Sequence, residues 1–177
     1  MTTYPRHTVR TGAEGREVIA MLGDDHERQG LIRLTWEAAE RQLTRLADQG
    51  LCWGVSHGDP SHDNIHVSED GLSLYGFDLA GPGWQVEDLT GASSTSYAEV
   101  FLEGYTAVRR LLPVELEALP WLRIVGTIEN LHFHVIGKPA VQGTYSLAEG
   151  WVDRGFEPLA AAAAIAATGR DVAGSRA

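Results

Sequence analysis

Two blocks of the sequence decide the fold: His57–Asn64 reads HGDPSHDN, and Gly76–Leu89 reads GFDLAGPGWQVEDL. The first block is strongly polar and lies between two short apolar runs, Cys52–Ser56 and Ile65–Val67. Short apolar runs that are bounded by polar and glycine-rich segments are typical of strands. The sequence therefore predicts a polar loop between two strand ends.

Two side chains of this loop carry chemical groups with a recognisable use. Such a loop would present Asp59 and Asn64 close together at the strand ends. A carboxylate can accept a proton from a hydroxyl group, and an amide oxygen can ligate a hard cation. A solvated loop with Asx turns is the structural alternative. The composition of the loop alone leaves both interpretations open.

The rest of the pattern predicts an α+β fold that is mostly α-helical. Apolar runs at Ile65–Val67 and Leu72–Phe77 flank the acidic glycine turn Glu69–Gly71, which is typical of a hairpin. The segment Gly81–Gly83 predicts a tight turn, and Thr11–Met21 is ambiguous. Helices are predicted at Leu31–Leu46, Val86–Ser94, Ala98–Leu112, Glu115–Gly137 (interrupted near Pro120) and Leu147–Ala167.

Composition excludes several classes of function. The chain has 177 residues, a net charge of −10 and one cysteine, Cys52. Because no basic run stands out, we expect neither nucleic acid nor a membrane surface as a partner. One cysteine cannot form a disulfide framework or a zinc cluster. The first residues do not resemble a secretion signal, and no apolar run is long enough to span a bilayer. We expect a cytoplasmic protein.

The spacing of the two blocks resembles a known family. His57–Asn64 follows His-x-Asp-x4-Asn, which is similar to the catalytic loop of aminoglycoside phosphotransferases and, more distantly, of protein kinases. Gly76–Leu89 resembles the D-F-D-x-A-G-x-G-x4-D-L block of the same family. The resemblance extends over Leu31–Ala164, and its last helices resemble the branch near homoserine kinases. It implies a protein-kinase-like C-lobe with a small hairpin beside the catalytic loop.

The resemblance implies a role for individual residues. Asp59 would be the catalytic base, and His57 would brace the loop. Asn64 would ligate Mg²⁺ beside ATP, and Asp88 would accept hydrogen bonds from the loop backbone in a structural role. The predicted helix that carries Glu129 and His132 would border the former substrate pocket. His62 and Trp84 are further pocket candidates from their places in the sequence, with a solvated loop side chain as the alternative for His62 and a core position as the alternative for Trp84.

The metal site departs from the family pattern. Gly76 stands where the family has the leading aspartate of D-F-D, and glycine has no side chain that could ligate a metal. Asp78 is two residues further on, so it would serve as a cofactor or metal ligand only if the strand end bends. A structural hydrogen bond is the alternative role for Asp78. Mg²⁺ and ATP are therefore doubtful cofactors.

The ATP-binding half also departs from the family. The residues before His57 are too few for a complete N-lobe, and Lys138 is the one lysine of the chain. We therefore expect a short N-terminal remnant (residues 1–30), a phosphotransferase-like C-lobe (31–167) and a flexible tail (168–177). The N-lobe would be largely missing.

Three functions are compatible with these expectations. The first is a truncated phosphotransferase-like protein that binds a small hydroxylated or amino compound, with Asp59 as base in nucleotide-independent acid/base chemistry. The second is an ATP- and Mg²⁺-dependent small-molecule kinase that a partner chain or a dimer completes. The third is a non-catalytic interaction module. All three predict a homodimer or a partner protein over the bare N-lobe face.

A second group of polar residues falls on one predicted helix. Glu129 and His132 have i, i+3 spacing, as in half of a carboxylate-bridged metal site, and His134 follows. A packed helix surface is the alternative, and both interpretations stay open.

Overall fold

The computed structural model describes residues 7–92 and 95–168, and the side chains of residues 12–92 and 95–164. Its contacts divide the described chain into two compact units. The helical unit contains residues 7–43 and 124–168, and the loop unit contains residues 44–92 and 95–123. The helices are α1 (His7–Met21), α2 (His26–Asp48), α3 (Leu89–Ala92), α4 (Ala98–Val108), α5 (Pro113–His132), α6 (Lys138–Gln142) and α7 (Trp151–Thr168). The strands are β1 (Trp53–Ser56), β2 (Ile65–Ser68), β3 (Gly71–Leu74) and β4 (Gly81–Trp84).

Close packing at two glycines fixes the first helix of the helical unit. Thr11–Met21 was ambiguous in sequence because Gly12 and Gly15 lower helix propensity, yet it lies within α1. A Cβ at Gly15 would lie 3.6 Å from Ile128, and Val18 of the same helix is fully buried. Tertiary packing therefore outweighs local propensity here.

The later helices break at positions that the sequence pattern did not indicate. Pro120 lies inside the continuous helix α5, so the predicted interruption there was wrong. The α-helical conformation instead ends at His132, and the π-helical turn Phe133–Gly137 follows before α6. Gly150, with φ of 74°, separates the 3-10 turn Thr144–Glu149 from α7. The predicted helix at 147–167 therefore begins later than expected.

The first sheet of the loop unit contains the predicted turn at Gly81–Gly83. This segment is strand β4 and pairs antiparallel with β1, with Trp84 opposite Trp53 and Pro82 opposite Val55. The turn prediction was wrong because it used local residue preferences, whereas long-range pairing decides the conformation. Proline is tolerated because each strand of a two-stranded sheet is an edge strand.

The second sheet is the predicted hairpin. Strands β2 and β3 pair antiparallel, with Ile65 opposite Leu74 and Val67 opposite Leu72. The second strand ends earlier than predicted because Gly76 has a left-handed conformation with φ of 77°, and a 3-10 turn at Phe77–Leu79 follows. The bend lies directly beside the polar loop.

Helices of the loop unit are shorter than the pattern predicted. Helix α3 begins at Leu89 rather than Val86, and the predicted end at Ser94 lies outside the described residues. Helix α4 ends at Val108, because Arg109 adopts an extended conformation with φ of −137°. The guanidinium of Arg109 then binds the carboxylate of Glu115 through two hydrogen bonds of 3.2 and 2.5 Å.

The buried carboxylate of Glu115 is well satisfied. Its side chain has no exposed surface, and it also accepts a hydrogen bond from the Leu112 N–H at 2.9 Å. Burial raises the pKa of Glu115, but the hydrogen bonds from Arg109 and from the Leu112 N–H outweigh it, so the pKa lies below its usual 4.5. The pair fixes the corner between α4 and α5.

The observed architecture is mostly helical with two small antiparallel sheets, which agrees with the predicted α+β class. The finer C-lobe assignment and the boundaries 1–30 and 31–167 stay predictions, and residues 169–177 of the predicted tail lie outside the described part. Within that part, no helix has the length and apolar character to cross a membrane.

Replacing Arg109 by methionine should destabilise the loop unit by about 3 kcal/mol, because it leaves a buried carboxylate without its charged partner. Urea unfolding at pH 7 measures this loss. The matched control is Arg45→Met, since Arg45 pairs with Glu117 at the surface and should contribute less than about 1 kcal/mol. Because the pKa of Glu115 is lowered, its stabilisation is complete above pH 4.5 and disappears as the pH falls through the folded-state value. Equal losses in both variants would contradict the assignment.

Two helical glycines should respond oppositely to alanine. A Cβ at Gly155 would collide with the buried Leu131, whose Cγ would be 2.8 Å away, so Gly155→Ala should destabilise by about 1–3 kcal/mol. A Cβ at Gly104 would meet nothing within 4 Å, so Gly104→Ala should stabilise by about 0.5–1 kcal/mol. Thermal unfolding of both variants checks the pair, and a gain in stability for Gly155→Ala would refute the packing of α7 on α5.

Candidate functional site

The polar loop begins at a carboxylate that joins the two sequence blocks. Asp88 accepts hydrogen bonds from the backbone N–H of His57 at 2.7 Å and from that of Gly58 at 2.9 Å. Gly58 has φ of 87°, and a Cβ there would lie 2.5 Å from the carbonyl oxygen of Leu79. Only glycine fits this position without strain.

The imidazole of His57 is held between two backbone groups. Its Nδ1 accepts a hydrogen bond from the Asp59 N–H at 3.2 Å, and its Nε2 lies 3.0 Å from the carbonyl oxygen of Tyr75. Because a carbonyl accepts and an N–H donates, these partners fit the neutral tautomer with hydrogen on Nε2. The ring is buried and contacts Phe77 with 4.4 Å between centroids. His57 therefore ties the loop to the end of the hairpin.

Asp59 and Asn64 contact each other directly. The Asn64 side-chain amide donates to the Asp59 carbonyl oxygen at 2.8 Å and to its carboxylate Oδ2 at 2.9 Å. Asp59 is exposed and Asn64 is half-buried. The arrangement holds a carboxylate at the surface of the loop in a defined position.

Gly76 lies against the amide of Asn64. A Cβ at Gly76 would collide with Asn64 Oδ1 and would lie 2.6 Å from its Cγ. The space in which an aspartate side chain would start at position 76 is therefore filled by Asn64. Asp78 is exposed on the 3-10 turn that follows. The chain therefore bends here, and the ligand role of Asp78 stays a prediction.

The remaining candidates near the loop differ in exposure. His62 is exposed on a 3-10 turn that spans His62–Asn64. Trp84 is buried, and its ring packs edge-on against Trp53 with 4.7 Å between centroids. In this position Trp84 contributes to the core of the loop unit.

The candidates on α5 lie in the other compact unit. His132 Nε2 is 2.9 Å from the Glu17 carboxylate, and Glu129 is half-buried. Among the described residues, no group of three or more His, Cys, Asp or Glu side chains could hold a metal ion. The metal interpretation of Glu129, His132 and His134 therefore finds no support.

Two sets of contacts, around Tyr75 and around His134, were not indicated by the sequence pattern. Tyr75 donates its hydroxyl to the Asp63 carbonyl at 2.7 Å and its N–H to the Asn64 carbonyl at 3.0 Å, and only the exact hairpin register could have indicated it. In the helical unit, His134 stacks on Trp151 with 4.4 Å between ring centroids. Burial lowers the pKa of His134 below 6.5, and the positive charge of Lys138 lowers it further.

Asp88→Asn should loosen the start of the loop. An asparagine offers one acceptor oxygen in place of two and turns an NH₂ group toward a backbone donor, so one of the two N–H groups loses its partner. The loss of a partner costs a fully buried donor about 1–3 kcal/mol, and the cost is lower at these hydrogen bonds, which are part-buried at His57 and exposed at Gly58. Hydrogen exchange at the His57 and Gly58 amides should accelerate. Asp63→Asn, an exposed change in the same loop, is the control, and unchanged exchange in Asp88→Asn would refute the anchoring role.

Comparison with known proteins agrees with the loop geometry. A family model described as phosphotransferase enzyme family, abbreviated APH, matches residues 3–119. An uncharacterized Synechocystis protein is 29% identical over 107 residues, which are 55% of this chain and 30% of that protein. An uncharacterized Deinococcus radiodurans protein is 35% identical over 97 residues, or 48% of this chain and 28% of its own length.

The matched regions thus cover less than a third of the length of these relatives. No solved structure matches it. The family match covers more than half of the chain and includes both sequence blocks. The resemblance drawn from His57–Asn64 and Gly76–Leu89 is therefore confirmed, and the protein belongs to the APH phosphotransferase enzyme family.

Proposed function

We propose that this chain binds a small hydroxylated or amino compound through the carboxylate of Asp59. The observation that carries the proposal is the exposed Asp59 carboxylate, which Asn64 holds through Oδ2. Among the described residues, the hydrogen bonds to this carboxylate leave Oδ1 available to a ligand. A carboxylate in this state accepts a hydrogen bond from a hydroxyl or an ammonium group.

In this proposal Asp59 acts as the general base. When a ligand hydroxyl that donates to Oδ1 attacks an electrophilic carbon of the same ligand, the new C–O bond forms as the carboxylate takes the proton, and the proton then passes to the group that leaves that carbon. A positioned base of this kind contributes a rate factor of about 10²–10⁴. The step needs no nucleotide, so it suits acid/base chemistry in a biosynthetic reaction. Family membership supports the hydroxyl group as the ligand chemistry, since phosphotransferases act on acceptor hydroxyls.

An ATP- and Mg²⁺-dependent kinase completed by a partner chain or dimer is the second candidate. Family membership and the Asp59–Asn64 spacing favour it. It requires Asn64, with Asp78, to ligate magnesium beside the nucleotide. This candidate differs from the first in one respect that can be measured, because it predicts nucleotide binding that depends on a divalent cation.

A non-catalytic interaction module is the third candidate. The hairpin leaves large apolar side chains in contact with solvent: Val67 is 71% exposed and Leu72, directly opposite it, is 75% exposed. Exposed apolar clusters often mark protein contacts. The predicted homodimer or partner protein remains a proposal on this basis.

The test of the main proposal is a screen of polyols, amino sugars and amino alcohols by saturation-transfer NMR, in buffer that contains EDTA. At least one compound class should bind the wild type. Asp59→Asn should weaken that binding at least tenfold, because the neutral amide keeps an acceptor for Asn64 but loses the charge.

Asp63→Asn is the matched control, since it removes the same charge from an exposed position in the same loop. Its affinity should stay within twofold of the wild type. Equal weakening in both variants would assign the effect to general loop charge, and undiminished binding by Asp59→Asn would overturn the proposal.

A further inference from the structure

We propose that Asn64 positions the Asp59 carboxylate and does not ligate a metal ion, so that ligand binding at this loop is independent of divalent cations. This inference rests on the proposed function for the identity of the bound group. The hydrogen bonds of Asn64 are defined without reference to any ligand. Three observations on the loop unit carry the inference.

The first observation is that the side-chain nitrogen of Asn64 already donates its hydrogen bonds to Asp59. A side-chain amide has two N–H donors, and those of Asn64 reach the Asp59 carbonyl oxygen at 2.8 Å and Oδ2 at 2.9 Å. The two short contacts both hold Asp59, and a third contact of the same nitrogen, to Ser61 Oγ, is longer at 3.5 Å. The contact fixes the rotation of the Asp59 side chain, since its backbone and its carboxylate are bound by one group.

The second observation is the position of the amide over Gly76. A Cβ at Gly76 would lie 2.6 Å from Asn64 Cγ and 3.0 Å from Nδ2, and it would collide with Oδ1. With Asn64 turned toward Asp59, position 76 has no space for a side chain. The family resemblance takes metal ligands from positions 64 and 76. In this chain the Asn64 side chain, in its contact with Asp59, occupies the space of a side chain at position 76.

The third observation concerns the oxygen atoms near Asn64 Oδ1 that could coordinate a metal ion. Magnesium requires near-octahedral oxygen ligands at about 2.0–2.1 Å. Gly76 offers no side-chain ligand, and Asp78 is exposed on the turn beyond it. No cluster of three or more His, Cys, Asp or Glu ligands occurs within residues 12–92 and 95–164. Magnesium in phosphoryl-transfer sites is usually held by one or two carboxylates together with waters and substrate phosphates. Position 76 supplies no carboxylate beside Asn64 Oδ1, and the Asp59 carboxylate is bound to Asn64 Nδ2, so the donor set fits this ion poorly.

A neutral amide suits the positioning role. It donates hydrogen bonds to the carboxylate without contributing a positive charge, so Asp59 keeps its full charge for the ligand. A metal ion bound between the two side chains would instead neutralise the carboxylate. Asn64 therefore acts through Asp59 and is a positioning residue.

The first arm of the test observes the Asn64 side-chain amide by ¹⁵N-edited NMR of the whole chain, without any organic ligand. Mg²⁺ added to millimolar concentration should leave the two Asn64 proton resonances unchanged, and Mn²⁺ should not broaden them selectively. Asp59→Ala should shift both resonances, because it removes the carboxylate acceptor. A saturable Mg²⁺ shift or selective Mn²⁺ broadening would overturn the inference.

The second arm replaces Asn64 by aspartate. As a metal ligand, an aspartate would bind Mg²⁺ at least as well as the asparagine. As a positioning residue it fails, because it has no N–H donors and places a second negative charge beside Asp59. Compound binding should fall at least tenfold in Asn64→Asp and stay unchanged in Asn130→Asp, an exposed change on α5. Retained compound binding in Asn64→Asp would contradict the positioning role.

The two arms separate this inference from the proposed function. Suppose that no compound binds, that Mg²⁺ leaves the Asn64 resonances unchanged and that Asp59→Ala shifts them. The proposed function then fails, and the positioning contact between Asn64 and Asp59 stands. If a compound binds through Asp59 while Mg²⁺ shifts the Asn64 amide, the proposed function stands and the inference fails.

Discussion

The geometry of the loop depends on the hydrogen bonds that the carboxylate of Asp88 accepts from the loop backbone. This carboxylate binds the N–H groups of His57 and Gly58 at 2.7 and 2.9 Å. Asp88 follows strand β4, whose pairing with β1 brings the second sequence block beside the start of the first. A charged acceptor for two backbone donors is stronger than a neutral one, so this contact fixes the direction in which the loop leaves the sheet.

The consequences extend along the loop to Asp59. Once the backbone of His57 is fixed, its ring joins the Asp59 N–H to the Tyr75 carbonyl, which links the loop to the end of the hairpin. The left-handed bend at Gly76 then places the chain against Asn64. Each contact restricts the next, and the last one holds the exposed carboxylate of Asp59. A carboxylate that neutral donors hold in this way is preorganised for the ligand that we propose.

The sequence predicted those features that depend on local pattern or on motif spacing. The α+β class, the hairpin and the phosphotransferase family followed from alternating apolar runs and from the two blocks. The turn prediction failed at Gly81–Gly83, because this segment pairs with a distant strand. The sequence left Thr11–Met21 undecided, because the packing beside Gly15 and Ile128 that favours α1 comes from a distant part of the chain. The orientation of the Asn64 amide was also beyond reach, because it depends on the bend at Gly76, and the sequence indicated a strand there.

We propose that the Asp59 loop binds its ligand without nucleotide or metal, and calorimetric titration with ATP in the presence of Mg²⁺ distinguishes this proposal from the kinase interpretation. No saturable heat is expected up to millimolar ATP, since position 76 supplies no carboxylate and Asn64 is turned toward Asp59. Micromolar binding that requires Mg²⁺ and disappears in Asn64→Ala would overturn the proposal and place the kinase interpretation first.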